Sequence, residues 1–124
     1  MIVGIGLDLV ELARIERIWV RYGRKFALKI LHPDELARLS EENPVQYLAG
    51  RFAAKEAVAK ALGTGLSGGL GFCDICIRKL ASGRPEAELF GPALAVLNRL
   101  GPAKILISIT HSRDTAAAVA IIEV

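Results

Sequence analysis

The sequence predicts a single α+β domain over residues 1–124, with a largely antiparallel sheet packed on a long central helix. Three observations carry that prediction. Residues 51–62 are rich in Ala and Leu and free of Gly and Pro until Gly63, so they read as a strong helix. Residues 104–110 and 116–123 read as strands closing a hairpin around His111-Ser-Arg-Asp-Thr115. No internal repeat or low-complexity linker divides the chain.

Residues 1–9 read as the first strand, with Val3, Ile5, Leu7 and Leu9 facing one way and Gly4, Gly6 and Asp8 the other. A carboxylate beside two glycines leaves space where a ligand could approach the backbone. Gly4-Ile-Gly6 lacks the third glycine and the βαβ pattern of a dinucleotide site. Asp8 also has a purely structural reading, because Asp8-Leu-Val-Glu11 fits a capping box for the next helix. This segment alone favours the cap over a metal ligand, and one residue can serve both.

The helix expected over residues 10–22 buries Leu12, Ile15, Ile18, Trp19 and Tyr22, with Gly23 ending it. Arg14, Arg17, Arg21 and Arg24 form a basic stripe with Glu16 as the only nearby acid. Such a stripe is usually a solvated face, but four arginines also suit an acidic protein helix. Residues 25–31 and 33–39 read as short helices broken at His32-Pro33, where His32 starts the second. Asn43-Pro44 supplies an N-cap with proline at the first helical position.

Within the central helix, Ala53, Ala54, Ala57, Val58 and Ala61 share an apolar arc. The opposite side carries Phe52, Glu56 and Lys60 in one row, with Arg51 and Lys55 beside it. Glu56 and Lys60 could be an ordinary ion pair worth about 0.3–0.5 kcal/mol. Alternatively, Glu56 holds a metal while the cations hold phosphates. The Gly63-Thr64-Gly65 that ends the helix, and the second acid at Asp8, favour the metal reading.

Residues 63–71 are too glycine-rich for a regular element, and their N–H groups could line a phosphate. Residues 72–80 and 86–90 read as strands joined across Ser82-Gly83-Arg84-Pro85, followed by a helix over 92–100. Cys73 and Cys76 lie three apart in a strand-like run, pointing to opposite faces, and read as incidental reduced thiols.

Hydrophobic residues make up 52% of the chain and aromatics 6%, and mean hydropathy is +0.40. No run of 18 apolar residues is present, so burial between subunits is the expected outlet rather than a membrane. The first residues lack the basic start and cleavage site of a secretory signal, which points to the cytoplasm. A net charge of +3 is too small for a general nucleic-acid binder.

Gly4-Ile-Gly6-Leu-Asp8-Leu-Val-Glu11 with Arg14, followed by Arg51-Phe-Ala-Ala-Lys55-Glu56-Ala with Lys60 and Gly63-Thr64-Gly65, resembles the two signatures of the 4′-phosphopantetheinyl transferases. The short length, basic first helix and Ser108-Ile-Thr-His111 ending look most like the short, trimeric bacterial branch, the holo-acyl-carrier-protein synthases. The resemblance implies transfer of the phosphopantetheine arm of coenzyme A to a serine of apo acyl carrier protein, releasing adenosine 3′,5′-bisphosphate, in fatty acid biosynthesis. It also implies Mg²⁺ and a homotrimer with active sites between subunits.

Carried over by residue, Asp8 and Glu56 become the metal ligands, and both join Lys60 as catalytic candidates. Arg51, Lys55, Lys60, Gly63, Thr64, Gly65, Arg84, Pro85 and His111 become candidates for the coenzyme. Arg14 and Arg21 would meet the acidic carrier. The base is Glu56 or a water it orients, with His111 a third choice better suited to the coenzyme. Thr110, Thr115 and Val10 depart from the family pattern; Val10 stands where the longer, two-lobed members have a third acid. Those members resemble two copies of this unit, so a single copy should associate. The rivals are a non-catalytic oligomeric module binding coenzyme A or a nucleotide, and a purely structural oligomeric domain.

Overall fold

The computed structural model describes residues 1–66 and 69–124. Strand β1 (Ile2–Glu11) pairs antiparallel with β5 (Thr115–Glu123), and β5 pairs antiparallel with β4 (Lys104–His111), giving the order β1-β5-β4. Helix α4 (Val45–Leu62) packs across all three strands. Small residues make that approach close. Ala116, Ala118 and Ala120 of β5 are buried with Ile122, facing the alanine-rich helix.

Strand β1 comes closer still. A Cβ built on Gly6 would lie 1.9 Å from the Ala57 carbonyl oxygen, and one on Gly4 would lie 2.1 Å from that of Ala61. Glycine therefore admits the backbone of α4 at both positions, where the sequence suggested an approaching ligand. The opposite, apolar face of β1 stays uncovered in the single chain. Val3, Ile5, Leu7 and Leu9 are 43%, 67%, 66% and 65% exposed.

Between these elements run α1 (Leu12–Tyr22), α2 (Arg24–Ile30) and α3 (Pro33–Leu36). A short 3-10 turn at Phe72–Asp74 precedes the antiparallel hairpin of β2 (Ile75–Lys79) and β3 (Pro85–Leu89). Helix α5 (Gly91–Arg99) follows, and β3 packs beside β4 without joining its ladder. All described strand pairings are antiparallel, as the sequence predicted.

Several boundaries differ from the sequence reading. The β1–β5 ladder continues to Glu11↔Thr115, so α1 begins at Leu12 and Val10 is buried in the strand. Asp8 sits in register with Ala118 and caps nothing; Glu11 is the N-cap and makes no side-chain cap bond. The long ladder outweighs a local capping signal. Helix α1 fully buries only Ile15, while Tyr22 is exposed. Gly23, at φ 56°, breaks the arginine stripe: Arg24 starts α2 and pairs with Glu41 at 3.1 Å.

Pro44, rather than Asn43, is the N-cap of α4. His32 does start α3: its Nδ1 accepts from Asp34 N–H at 3.1 Å, while Glu35 Oε1 accepts from His32 N–H at 2.9 Å.

Candidate active site

Asp8 points from the glycine face of β1 toward the last two turns of α4, where Glu56 and Lys60 stand one turn apart. Lys60 Nζ donates to the Leu7 carbonyl at 3.0 Å and to Asp8 Oδ1 at 3.2 Å. Burial, and then the negative charge of Asp8, push the Glu56 carboxyl above its ordinary range; Lys60 and Arg14 pull it partway back. Residues from β1, α1 and α4 thus share one electrostatic field. Asp8 and Glu56, far apart in sequence, lie close enough for the charge of one to act on the other.

A Glu56 carboxyl raised in part by the charge of Asp8 suits a divalent cation, which would offset the repulsion between the two acids. The donor set is all oxygen. That favours a hard ion such as Mg²⁺, which needs only one or two protein carboxylates when phosphate oxygens and water complete its shell. The residues therefore fit the implied ion.

Lys55 does not belong to this site. Its side chain is fully buried, and Nζ donates to Glu35 Oε1, to the Ile30 carbonyl at 2.6 Å and to the Phe72 carbonyl at 3.1 Å. Burial pulls its pKa down against the opposing pull of Glu35. Consecutive helix residues lie about 100° apart. Turning Glu56 to the site therefore turns Lys55 toward α2, α3 and β2. The expectation that Lys55 meets the coenzyme is corrected: it ties α4 to the elements behind it.

The other coenzyme candidates are spread out. Arg51 is half-buried with its guanidinium 4.3 Å from the centre of the Tyr47 ring. Its buried Nε has no hydrogen-bond partner among the described residues. Gly63 ends α4 at φ 84°, and Gly65 follows at φ 63° with its carbonyl accepting from Thr64 Oγ1 at 3.0 Å. Ser67 and Gly68 of the glycine-rich stretch lie outside the described residues. Arg84 is exposed in the β2–β3 turn after Gly83, and Pro85 opens β3.

His111 lies against the first turns of α4. Its Nε2 is 3.1 Å from the Gln46 carbonyl, and a Cβ on Gly50 would come 3.0 Å from that nitrogen. Gly50 and Glu56 are six residues apart, about 9 Å along a helix. Within one chain, His111 is held at the other end of α4 from the acids.

Glu35 is the residue that sequence reasoning missed. Besides Lys55, it accepts from Ile77 N–H at 3.0 Å, joining α3, α4 and β2 in one buried knot. The available signal was its place two residues after Pro33, where a glutamate completes the cap of His32. Donor atoms of His32, Asp34 and Cys76 also cluster within 4.8 Å of one another. Arg78 already neutralises Asp34 there at 2.8 Å. Both cysteines are free thiols raised by burial, as suits inert side chains.

A sequence profile of the 4′-phosphopantetheinyl transferase superfamily matches residues 4–120. The holo-[acyl-carrier-protein] synthase of Nitratidesulfovibrio vulgaris strain Hildenborough is 53% identical over 99% of both chains. Among solved structures, the holo-[acyl-carrier-protein] synthase of Neisseria meningitidis is 44% identical, covers both chains fully and superposes with a TM-score of 0.90. That of Helicobacter pylori, in complex with coenzyme A, is 33% identical over 96% of this chain and 99% of its own, with a TM-score of 0.83. The chain belongs to the 4′-phosphopantetheinyl transferase superfamily, in its holo-[acyl-carrier-protein] synthase branch.

Proposed function

We propose that the protein transfers the 4′-phosphopantetheine group of coenzyme A to a serine of an apo acyl carrier protein. A bond forms between the serine oxygen and the phosphorus nearer pantetheine. The bond from that phosphorus to the bridging oxygen breaks, leaving adenosine 3′,5′-bisphosphate, while the serine proton passes to a base. The observation that carries this reading is the meeting of Asp8 and Glu56, framed by Lys60 and Arg14.

Asp8 and Glu56 would hold Mg²⁺, which supplies charge neutralisation at the diphosphate. Lys60 stands beside them on a half-exposed side chain, able to meet charge growing on the leaving group. Glu56 serves as base or orients the water that does so, because its raised carboxyl is a better proton acceptor than an ordinary glutamate. Arg51, Lys60, the Gly63-Thr64-Gly65 turn, Arg84, Pro85 and His111 serve the coenzyme.

The uncovered face of β1 supports association, since four large apolar side chains in one row need covering, and the homotrimer follows from the family resemblance. Association also gives His111 a role at a neighbouring copy's acids, which its own chain denies it. A groove of about 510 Å³ between α1, α2 and α4 is lined by the cations Arg14, Lys25 and Lys29 and by the apolar Ile18, Phe26 and Phe52. With Arg21, it suits an acidic carrier helix bearing apolar anchors. No helix among the described residues is long and apolar enough to cross a membrane, and we place the reaction in the cytoplasm.

The test is direct. Purified protein, coenzyme A, Mg²⁺ and apo carrier should give a carrier heavier by one phosphopantetheine. Tight coenzyme binding without any mass gain would instead establish the non-catalytic module.

A further inference from the structure

Lys60 holds a position that its role toward the coenzyme would make it leave. Two of its three N–H donors are directed into the acidic site, to the Leu7 carbonyl at 3.0 Å and to Asp8 Oδ1 at 3.2 Å. The Asp8 side chain is only 16% exposed, whereas that of Lys60 is half exposed. The carboxylate is thus fixed, and the cation sits on a movable stem. Both anchors belong to β1, which is seated rigidly on α4 through Gly6 and Ala57. Lys60 itself springs from α4, so the pair closes β1 and α4 across the site.

We propose that Lys60 is a built-in counter-cation of Asp8, which a divalent ion must displace, so that metal and coenzyme bind cooperatively through it. The inference rests on the assignment of Asp8 and Glu56 as metal ligands. An ammonium and a divalent ion compete for the same Asp8 oxygen, so Lys60 weakens metal binding to the coenzyme-free protein. A diphosphate offers the ammonium a second set of anionic oxygens and draws it off Asp8, and the same step strengthens the metal. By linkage, the metal strengthens the coenzyme by the same factor. The device discourages a metal from settling in the site without its substrate.

The experiment measures Mn²⁺ binding, by the loss of the free-ion spin-resonance signal, in the wild-type protein and in Lys60→Gln. Each is titrated without and with coenzyme A, against protein-free controls for chelation by the coenzyme. Circular dichroism confirms that each protein is folded. Lys60→Gln should bind Mn²⁺ without coenzyme roughly two- to fivefold tighter than wild type, the range for removing one partly exposed competing charge. It should bind coenzyme A more weakly, and the gain in Mn²⁺ affinity on adding coenzyme should shrink. A lysine serving only to hold the fold would weaken both ligands together.

Unchanged or weaker Mn²⁺ binding in folded Lys60→Gln overturns the proposal. If the wild-type protein still modifies its carrier in that case, the transferase reading stands without it. Absence of Mn²⁺ binding in both proteins, with coenzyme A present as well as absent, would remove the metal assignment and this inference together.

Discussion

Gly6 lies directly beneath the Ala57 carbonyl of α4, so close that any side chain would occupy the oxygen's position. The contact is backbone against backbone, and neither partner can yield by changing rotamer. Gly6→Ala should therefore cost about 3 kcal/mol, the upper end of the overpacking range, measured by urea denaturation. It should also lever Asp8 away from Lys60, lowering transfer by the folded fraction beyond the loss of stability. An alanine variant of full activity would mean that β1 is not wedged on α4.

Glu56 titrates above the ordinary glutamate value of 4.5 because of its burial and the charge of Asp8. Protonated Glu56 can neither bind a cation nor accept a proton, so at limiting Mg²⁺ transfer should fall on the acid side with a midpoint above that of a free glutamate, and saturating Mg²⁺ should move that midpoint down. Asp8→Asn removes the like charge and should move the Glu56 midpoint down, followed by carboxyl NMR without metal. The linkage sign follows from a raised folded-state pKa. This group's contribution to stability is complete below the unfolded value and is lost as pH rises through the folded one. Mg²⁺ should oppose that loss.

Lys55→Met leaves Glu35 charged and buried without its cation, and should destabilise the protein by about 3–5 kcal/mol. Coenzyme affinity of the molecules that remain folded should be unchanged. A variant of normal stability and reduced coenzyme affinity would return Lys55 to the binding site.

Arg21 and Arg14 separate docking from chemistry. The Arg21 guanidinium lies 5.4 Å from the Tyr22 ring centre, whereas that of Arg14 lies 5.7 Å from the Phe52 ring centre and also acts on Glu56. Arg21→Glu should raise the KM for carrier on the order of tenfold, in a salt-dependent way, with the coenzyme KM unmoved. Arg14→Glu should do the same and in addition shift the acid limb of the pH profile upward. Equal losses toward both substrates would argue against this face as the dock.

Leu7→Glu places a charge in the uncovered row of β1, 66% exposed in the single chain. Sedimentation should show the proposed homotrimer giving way to monomers at micromolar concentration. A variant that still assembles would place the interface elsewhere.

The sequence shows its elements wherever one pattern repeats: the alternation of β1, the closing hairpin and the unbroken helix of residues 51–62 all appear where expected. Asp8 and Glu56 were legible because glycines and cations surround acids on otherwise apolar elements. Lys55 was misread because a helical wheel shows which residues share a face, but not how many faces are covered. Helix α4 is buried on nearly every side, and only the tertiary arrangement of α2, α3 and β2 reveals it. Glu35 stayed hidden for a related reason. Its two distant partner segments, α4 and β2, reach it only on folding, so nothing local marks it as more than a helix-start glutamate.

Alternate residues of β1 face two different demands. Its even positions bring Asp8 to α4, while its odd positions present a greasy row to whatever lies outside, along an edge with no further strand beyond it among the described residues. A lone chain thus carries Asp8 on a strand wetted from behind. Diluting the protein until copies part should lower turnover per chain, so specific activity would serve as a gauge of assembly.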